Sequence, residues 1–381
     1  YFINTTSNTC TITLPASPAI GDQIVFADYA RTWATNNVII DSNGNNFQGD
    51  PDTYTVDYST AGQSLNIVYS DATKGWLPVS DDAVAFEHGD PPTQKGIFAF
   101  GSTGSYVSIS NLVSSSGVVA TDVAGVGTGR YLLRAATYGG DKAIFAFGGI
   151  GGTRQNVSNL VSSSGVVASD TTGVGTARYQ LGATGYGSTG QAMFAFGSVP
   201  GSVVNTRNLV SNTGVVASNA SGAGTARSSA EGTRYGSSGQ AIFAYGYNGP
   251  NYSMSNLVTN VGVVGSDVTG VGTARRELAA SSYGGDKGIY AYGSTGSIVS
   301  MSNLVSNSGV IAADVTGVGT ARRALAATNY GGDKAIFGYG NSGSNVSLTN
   351  LVSNSGVVAS DVTGVGTARQ GPAAAGFSYT T

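Results

Sequence analysis

Apolar and small residues alternate in a short segment that returns six times between Lys95 and the C-terminus. It reads KGIFAFG at Lys95–Gly101, KAIFAFG at Lys142–Gly148, QAMFAFG at Gln191–Gly197, QAIFAYG at Gln240–Gly246, KGIYAYG at Lys287–Gly293 and KAIFGYG at Lys334–Gly340. The intervals are 47, 49, 49, 47 and 47 residues. A period of about 45–50 residues, rich in strand signals and glycine, predicts a β-propeller with one blade per repeat. It also points to a surface for presentation rather than to chemistry.

The copy from Arg322 to Arg369 predicts four strands: A over Ala324–Tyr330, B over Ala335–Tyr339, C over Val346–Ser353, and D from Val357 to about Thr363. GGDK joins A to B, a loop of varying length joins B to C, N-S-G joins C to D, and TGVGTAR leads to the next repeat. Strand A is rich in alanine and glycine, which suits the crowded axis where blades converge. In strand B the two-residue alternation puts Ala335, Phe337 and Tyr339 on one face and Ile336 and Gly338 on the other. An aromatic face meeting a small-residue face would stack one blade on the next, each buried Phe contributing roughly 1.5–3 kcal/mol. Strand C carries Asn-Leu-Val in every copy, at Asn111, Asn159, Asn208, Asn256, Asn303 and Asn350. The Leu-Val pair is expected in the core, and the asparagine is expected to satisfy backbone groups that a bulged strand leaves open.

The first copy begins at strand B, and the last runs past strand D into one more strand A, at about residues 372–379. Ring closure is the simplest reading: that strand completes the blade begun by residues 95–129, which gives six blades and removes two exposed edges. Residues 1–80 do not share the repeat. Their strand candidates are Thr11–Leu14, Gln23–Ala27, Asn37–Asp41, Tyr54–Asp57, Leu65–Tyr69 and Trp76–Val79. Asn43-Gly44 and Asn8-Thr9 are turn signals, and Pro15 and Pro18 close the first strand. The fold class expected is therefore all-β: a small N-terminal β-domain over 1–80, a linker over 81–94, and a six-bladed propeller over 95–381. The linker is acidic, holds Pro91-Pro92, and carries the only histidine, His88, read as solvated.

Composition narrows the function. The net charge is −3, with 10% charged residues, which argues against nucleic acid and against a polybasic membrane contact. No apolar run approaches the roughly 18 residues of a membrane span, and no secretory leader is seen. Tyr1 in place of Met suggests a fragment or a processed chain. Cys10 is the only cysteine, read as a surface thiol or a small core residue, so no intrachain disulfide is possible. The 58 glycines suit many short strands joined by tight turns, and 20 Tyr with 13 Phe favour a packed structure over disorder.

No catalytic residue is expected. A hydrolase triad needs a positioned base, and a zinc site needs clustered His and Cys. Paired carboxylates could still serve a glycosidase. The obvious acids, however, recur with the repeat: Asp141, Asp286 and Asp333 in GGDK, and Asp122, Asp170, Asp267, Asp314 and Asp361 before the D–A loop. Recurrence favours turn capping or pairing with the repeat arginines. GVGTAR lacks the lysine and helix of a phosphate loop. Arg130, Arg178, Arg227, Arg275, Arg322 and Arg369 recur at one position and are read as capping carbonyls or pairing with an Asp, against an alternative role as anion or sugar contacts. No cofactor or metal is expected.

The B–C loops differ while the rest of the repeat hardly changes: GSTGSYVS, GGIGGTRQNVS, GSVPGSVVNTR, GYNGPNYSMS, GSTGSIVS and GNSGSNVS. In a propeller the B–C and D–A loops share a face. The candidate binding residues are Tyr106, Arg154, Gln155, Asn205, Arg207, Tyr247, Asn251 and Tyr252, with Tyr and Asn suited to sugar stacking and hydroxyl hydrogen bonds. Loops also vary simply because little constrains them.

The order Arg, small-residue strand, Gly-Gly-Asp-Lys, Ile-Phe-X-Tyr-Gly and a variable loop resembles a kelch blade. It departs in having mostly one glycine after strand B, with Gly148-Gly149 the exception, and in lacking the blade tryptophan. Residues 9–76 resemble a small β-domain of tail-fibre and other virion proteins of bacteriophages, particularly marine ones. The matching features are LPASPAIGD at 14–22, NNVIIDSNGNNFQG at 36–49 and IVYSDATKGW at 67–76. The repeats, with GVGTAR and YGGDKAIFGYG, are also similar to those of marine phage structural proteins. The resemblance implies an extracellular virion component, a fibre or tail appendage that touches other virion proteins and meets the host, often as a homotrimer. With the missing catalytic set and the Tyr and Asn of the loops, the expectation is a non-enzymatic protein contacting a host-surface glycan or receptor. The charge balance and the lack of a long apolar run point to no nucleic-acid partner and no membrane insertion. The alternative is a structural or decorating virion module without a receptor; a glycan-degrading enzyme is a third class.

Overall fold

The computed structural model describes residues 1–81 and 94–378. All regular structure among them is β, and residues 1–90 and 91–381 are two compact units. The expected linker, with His88, lies almost wholly outside the described residues.

The first unit holds β1 (Phe2–Ile3), β2 (Cys10–Thr13), β3 (Gln23–Asp28), β4 (Val38–Asp41), β5 (Val56–Tyr58), β6 (Ser64–Asp71) and β7 (Gly75–Asp81). Two sheets form, in the orders β1-β3-β6-β7 and β2-β4-β5. The pairs β1/β3 and β2/β4 are parallel, and the others antiparallel. In β6 the alternation sends Leu65, Ile67 and Tyr69 inward, where they join Phe26, Ile40, Tyr58, Trp33 and Trp76 in one core. Asp28 fixes the approach of Trp33 by accepting the N–H groups of Thr32 at 3.1 Å, Trp33 at 3.2 Å and Gly62 at 2.9 Å. Six strands fall close to their expected places; β1 has too few residues to show a period.

The second unit is built from the repeats. The first contributes β8 (Lys95–Ser102) and β9 (Tyr106–Val113). The second contributes β10 (Arg134–Tyr138), β11 (Lys142–Ala146), the two-residue hairpin β12 (Gly149–Ile150) and β13 (Thr153–Arg154), and β14 (Ser158–Val161). The third has β15 (Gly182–Tyr186), β16 (Gln191–Ala195), the hairpin β17 (Ser198–Val199) and β18 (Ser202–Val203), and β19 (Arg207–Val210). Then follow β20 (Glu231–Tyr235), β21 (Gln240–Tyr247) and β22 (Asn251–Val258); β23 (Ala279–Tyr283), β24 (Lys287–Ala291) and β25 (Ser302–Val305). The last are β26 (Ala326–Tyr330), β27 (Lys334–Gly338), β28 (Thr349–Val352) and the final β29 (Ala373–Phe377). Strands A, B and C of each repeat form one antiparallel sheet, and the first sheet has the order β29-β8-β9. There the C-terminal strand pairs with the first repeat, from Ala373 opposite Ala99 to Phe377 opposite Lys95.

Three details differ from expectation. Strand D is not a strand: it touches strand C at two single bridges, Val352–Val358 and Thr349–Val362 in the last repeat. Between them the Asn350 side chain takes the place of a ladder, its Nδ2 donating to the Ala359 carbonyl at 3.0 Å and to Asp361 Oδ1 at 2.9 Å. Strand A starts late, at Ala326, because Ala324 is left-handed with φ 49°. The alternation in strand B also breaks. Its last aromatic has φ between 62° and 65° in all six repeats, shown by Tyr339 at 62° and Tyr245 at 65°. That turn throws Tyr339 onto the face opposite Phe337. Aromatic therefore meets aromatic between repeats: Phe100 with Phe145, Phe147 with Phe194, Phe196 with Phe243, Tyr245 with Tyr290, Tyr292 with Phe337, and Tyr339 with Phe98. Tilted or edge-on pairs such as these suit the ring quadrupole.

The A strands lie side by side in the order β10, β15, β20, β23, β26, β29, and β29 again touches β10. Backbone hydrogen bonds run the same circuit at the A–B turns. Gly139 N–H donates to Gly190 O at 2.7 Å, Gly187 to Gly239 at 2.8 Å, and Gly236 to Asp286 at 2.7 Å. Gly284 donates to Asp333 at 2.6 Å, Gly331 to Gln94 at 2.8 Å, and Ser378 to Asp141 at 2.7 Å. The C–D turn glycine also couples neighbours: at Gly117 (φ 83°) an added Cβ would lie 2.8 Å from the Tyr330 ring of the last repeat, so only glycine fits.

Candidate functional site

The repeat arginines are not surface groups. All six are fully buried, Arg130, Arg178, Arg227, Arg275, Arg322 and Arg369 each at 0% exposure. Each lies over the last strand-B aromatic of the preceding repeat, at 4.0 Å for Arg369 over Tyr339 and 4.4 Å for Arg130 over Phe100. Arg227 shows the bonding: Nε donates to Tyr245 O at 2.7 Å, Nη1 to Thr225 O at 3.0 Å, and Nη2 to Asn256 Oδ1 at 2.7 Å. Burial lowers the pKa, to about 10 at Arg130, Arg178 and Arg227, so these groups remain charged at neutral pH. They staple one repeat to the next and cap carbonyls.

The recurring aspartates serve the same seam. Asp267 accepts the Thr225 N–H at 3.0 Å and its hydroxyl at 2.6 Å, while Asn256 donates to it at 3.0 Å. Burial opposes the Asp267 charge, but the hydrogen bonds from Thr225 and Asn256 outweigh it and hold the pKa below the usual carboxylate range. The third repeat replaces this acid with Asn219, which accepts the Thr176 N–H at 3.1 Å.

Two left-handed residues follow strand B, such as Tyr292 (φ 64°) and Gly293 (φ 107°), and turn the chain into the B–C loop. In β21 the same pair, Tyr245 and Gly246, makes a bulge beyond which Gly246 and Tyr247 still pair with Tyr252 and Asn251. The loops meet the D–A connections at this end: Arg178 N–H donates to Gln155 O and Arg275 N–H to Tyr252 O, both at 3.3 Å. Of the expected binding residues, Tyr106, Arg154, Tyr247 and Asn251 fall on three separate seams between repeats. Tyr106 is 38% exposed and packs against Tyr131, with ring centroids 5.2 Å apart. The Arg154 guanidinium lies 4.7 Å from the Tyr179 ring and donates to Gly152 O at 3.0 Å and Val199 O at 3.5 Å. Arg276 covers Tyr247 at 4.4 Å. Asn251 Nδ2 reaches Ser294 O at 3.4 Å, while its Oδ1 has no partner among the described residues. Asn205 gives its amide to Gly224 O at 2.8 Å, as Asn156 does to Gly175 O, and so holds its own loop. Arg207 likewise donates to Ser221 O. Gln155 and Tyr252 are half-buried.

The stacking partners Tyr131, Tyr179 and Arg276 were not expected from the sequence. Their signal is their place directly after the repeat arginine, where other repeats carry Ser228, Arg323 and Gln370. Chemically this end offers aromatic and guanidinium faces plus amides. No group of three His, Cys, Asp or Glu able to hold a metal occurs among the described residues. Compared with known proteins, the chain matches no family model, and no curated protein is significantly similar to it.

Proposed function

We propose that residues 94–378 form a six-bladed β-propeller, and that the chain is a non-enzymatic virion fibre or appendage protein that contacts a host-surface glycan through the B–C loop end. The observation that carries the propeller is the unbroken circuit of six hydrogen bonds at the A–B turns, which passes through both chain-distant partners, Gln94 and Ser378. The buried arginines and aromatic pairs follow the same circuit. What supports glycan contact is that the recurring arginines, asparagines and aspartates are buried or bonded between repeats, while the variable loops place Tyr106, Tyr247, Asn251 and Arg154, part-exposed, at one end. Stacked aromatic and guanidinium planes suit the apolar faces and hydroxyls of sugars. The virion assignment rests on the resemblance of residues 9–76 and of the repeats to phage structural proteins. Other virion proteins as partners and trimeric assembly belong to the same reading.

A glycan array probed with the purified chain tests this. Binding is expected, and replacing the Gly246–Ser253 loop by the shorter Gly293–Ser300 loop should abolish or redirect it. An array with no signal would favour a decorating module, and sugar release from a bound polysaccharide would return the glycosidase class.

A further inference from the structure

We propose that the cavity between the six A strands is an anion site, centred on Arg234, for a hydroxylated carboxylic acid of monosaccharide size such as a uronic acid. Strand A reads RAATY, GATGY, EGTRY, AASSY, AATNY and AAAGF around the circuit, so Arg134, Glu231 and Arg234 are its only charged residues. They do different things. Arg134 and Glu231 are buried and form an ion pair from β10 to β20, across the intervening β15, which begins with Gly182. They line a small space of about 50 Å³. Near this end a second set of left-handed residues links neighbouring repeats, with Gln180 N–H donating to Leu132 O at 3.0 Å and Leu132 N–H to Gly371 O at 2.9 Å. The ion pair therefore stands across the end that carries the D–A loops.

The other end is a cavity of about 340 Å³ beside the A–B turns, within the ~300–1,000 Å³ range of small-molecule sites. The two spaces share the small residues Ala135, Ala183, Gly232, Ala280, Ala327 and Ala374 as a collar. Arg234 is exposed in the larger one, makes a single long hydrogen bond to Gly187 O at 3.4 Å, and has no ion pair among the described residues. The protein around it lowers its pKa by desolvation. A cation so placed favours an incoming anion, and a planar guanidinium matches a carboxylate bidentately.

A second observation points to a ligand. Gln94 lines the same cavity and is only 5% exposed, and its Oε1 has no hydrogen-bond partner among the described residues. Its backbone sits against Gly331, at the β26–β29 side of the circuit and so across from β20. An amide oxygen can only accept, so its complement is a ligand hydroxyl. Thr137 also lines the cavity; its hydroxyl proton goes to Gly376 O at 2.8 Å, which leaves its lone pairs as further acceptors. One cation and several acceptors select a molecule with one carboxylate and free hydroxyls.

The test is calorimetric titration of the full chain with glucuronate, with glucose as the neutral control. Glucuronate should bind, glucose should bind at least about tenfold more weakly, and Arg234→Ser should weaken glucuronate by about tenfold or more, since charge-assisted bonds are the strong ones. Serine already stands at the equivalent Ser282, so the substitution suits the strand. Replacing the Gly246–Ser253 loop should leave glucuronate binding unchanged, which separates this site from the glycan surface. Absence of glucuronate binding, equal binding of glucose, or wild-type affinity in Arg234→Ser would overturn the assignment. If Arg234→Ser fails to fold, glucuronate against its methyl ester on the wild-type protein decides: equal affinity refutes the site.

Discussion

Each buried arginine is held by more bonds than its size suggests, and the sequence itself supplies controls for how much they matter. Arg227→Met would leave Tyr245 O and Asn256 Oδ1 without their donor in a closed seam, at a cost of about 1–3 kcal/mol for each unsatisfied group. We expect urea unfolding of this variant to show a loss of about 2–4 kcal/mol. Tyr292→Phe removes only a hydroxyl that donates to Val318 O at 3.1 Å. Phe100, Phe147 and Phe196 occupy the same place without one, so a loss below about 1 kcal/mol is expected. Equal losses in the two variants would refute the staple. The aspartates add a pH dependence whose sign is set by their lowered pKa values. Asp122, Asp170, Asp267, Asp314 and Asp361 contribute stability that is present above the ordinary 3.8 and lost as pH falls through the lower folded values. The melting temperature should drop steeply below pH 3.8, and replacing all five by asparagine, as at position 219, should flatten that limb. An identical acid limb in the variant would count against the capping role.

At the scale of the strand, removing residues 371–381 tests how the first sheet is held. Without β29 the row of donors and acceptors on β8 is unpaired, and an open edge of this kind recruits other chains. The truncated protein should melt much lower and aggregate; an unchanged melting curve would refute the dependence. Elements of this size were largely legible in the sequence, because KAIFGYG and its copies combine a fixed interval with two-residue alternation. What was not legible came from left-handed backbone at ordinary residues. Nothing in the letters Phe-Gly or Tyr-Gly announces that the aromatic itself has a positive φ, a strain of order 1–3 kcal/mol that the arginine and aromatic contacts on both sides offset. The fourth strand failed for a different reason: Val357–Thr363 has the right composition, but between its two bridges to strand C the Ala359 carbonyl and the Asp361 side chain go to the Asn350 amide, which interrupts the ladder. Of the candidate site, the loop positions could be read from their variation. The stacked Tyr131, Tyr179 and Arg276 could not, since they only gain meaning beside a loop from another repeat.

For the molecule as a whole, near-identical repeats pose the problem of telling one position from another, and Arg134, Glu231 and Arg234 break that equivalence from within. They give the C-terminal unit a distinguishable set of directions even where its seams are alike. The order of assembly has a further consequence. Ala99 waits for Ala373, so the opening sheet stays one strand short throughout synthesis of every later repeat. A polypeptide interrupted anywhere before Phe377 carries an adhesive, unsatisfied margin, whereas one translated past that point hides it. The pairing of the two distant segments thus makes the first sheet the last to be completed as the chain is made, and its open margin is the part of a shortened chain exposed to association.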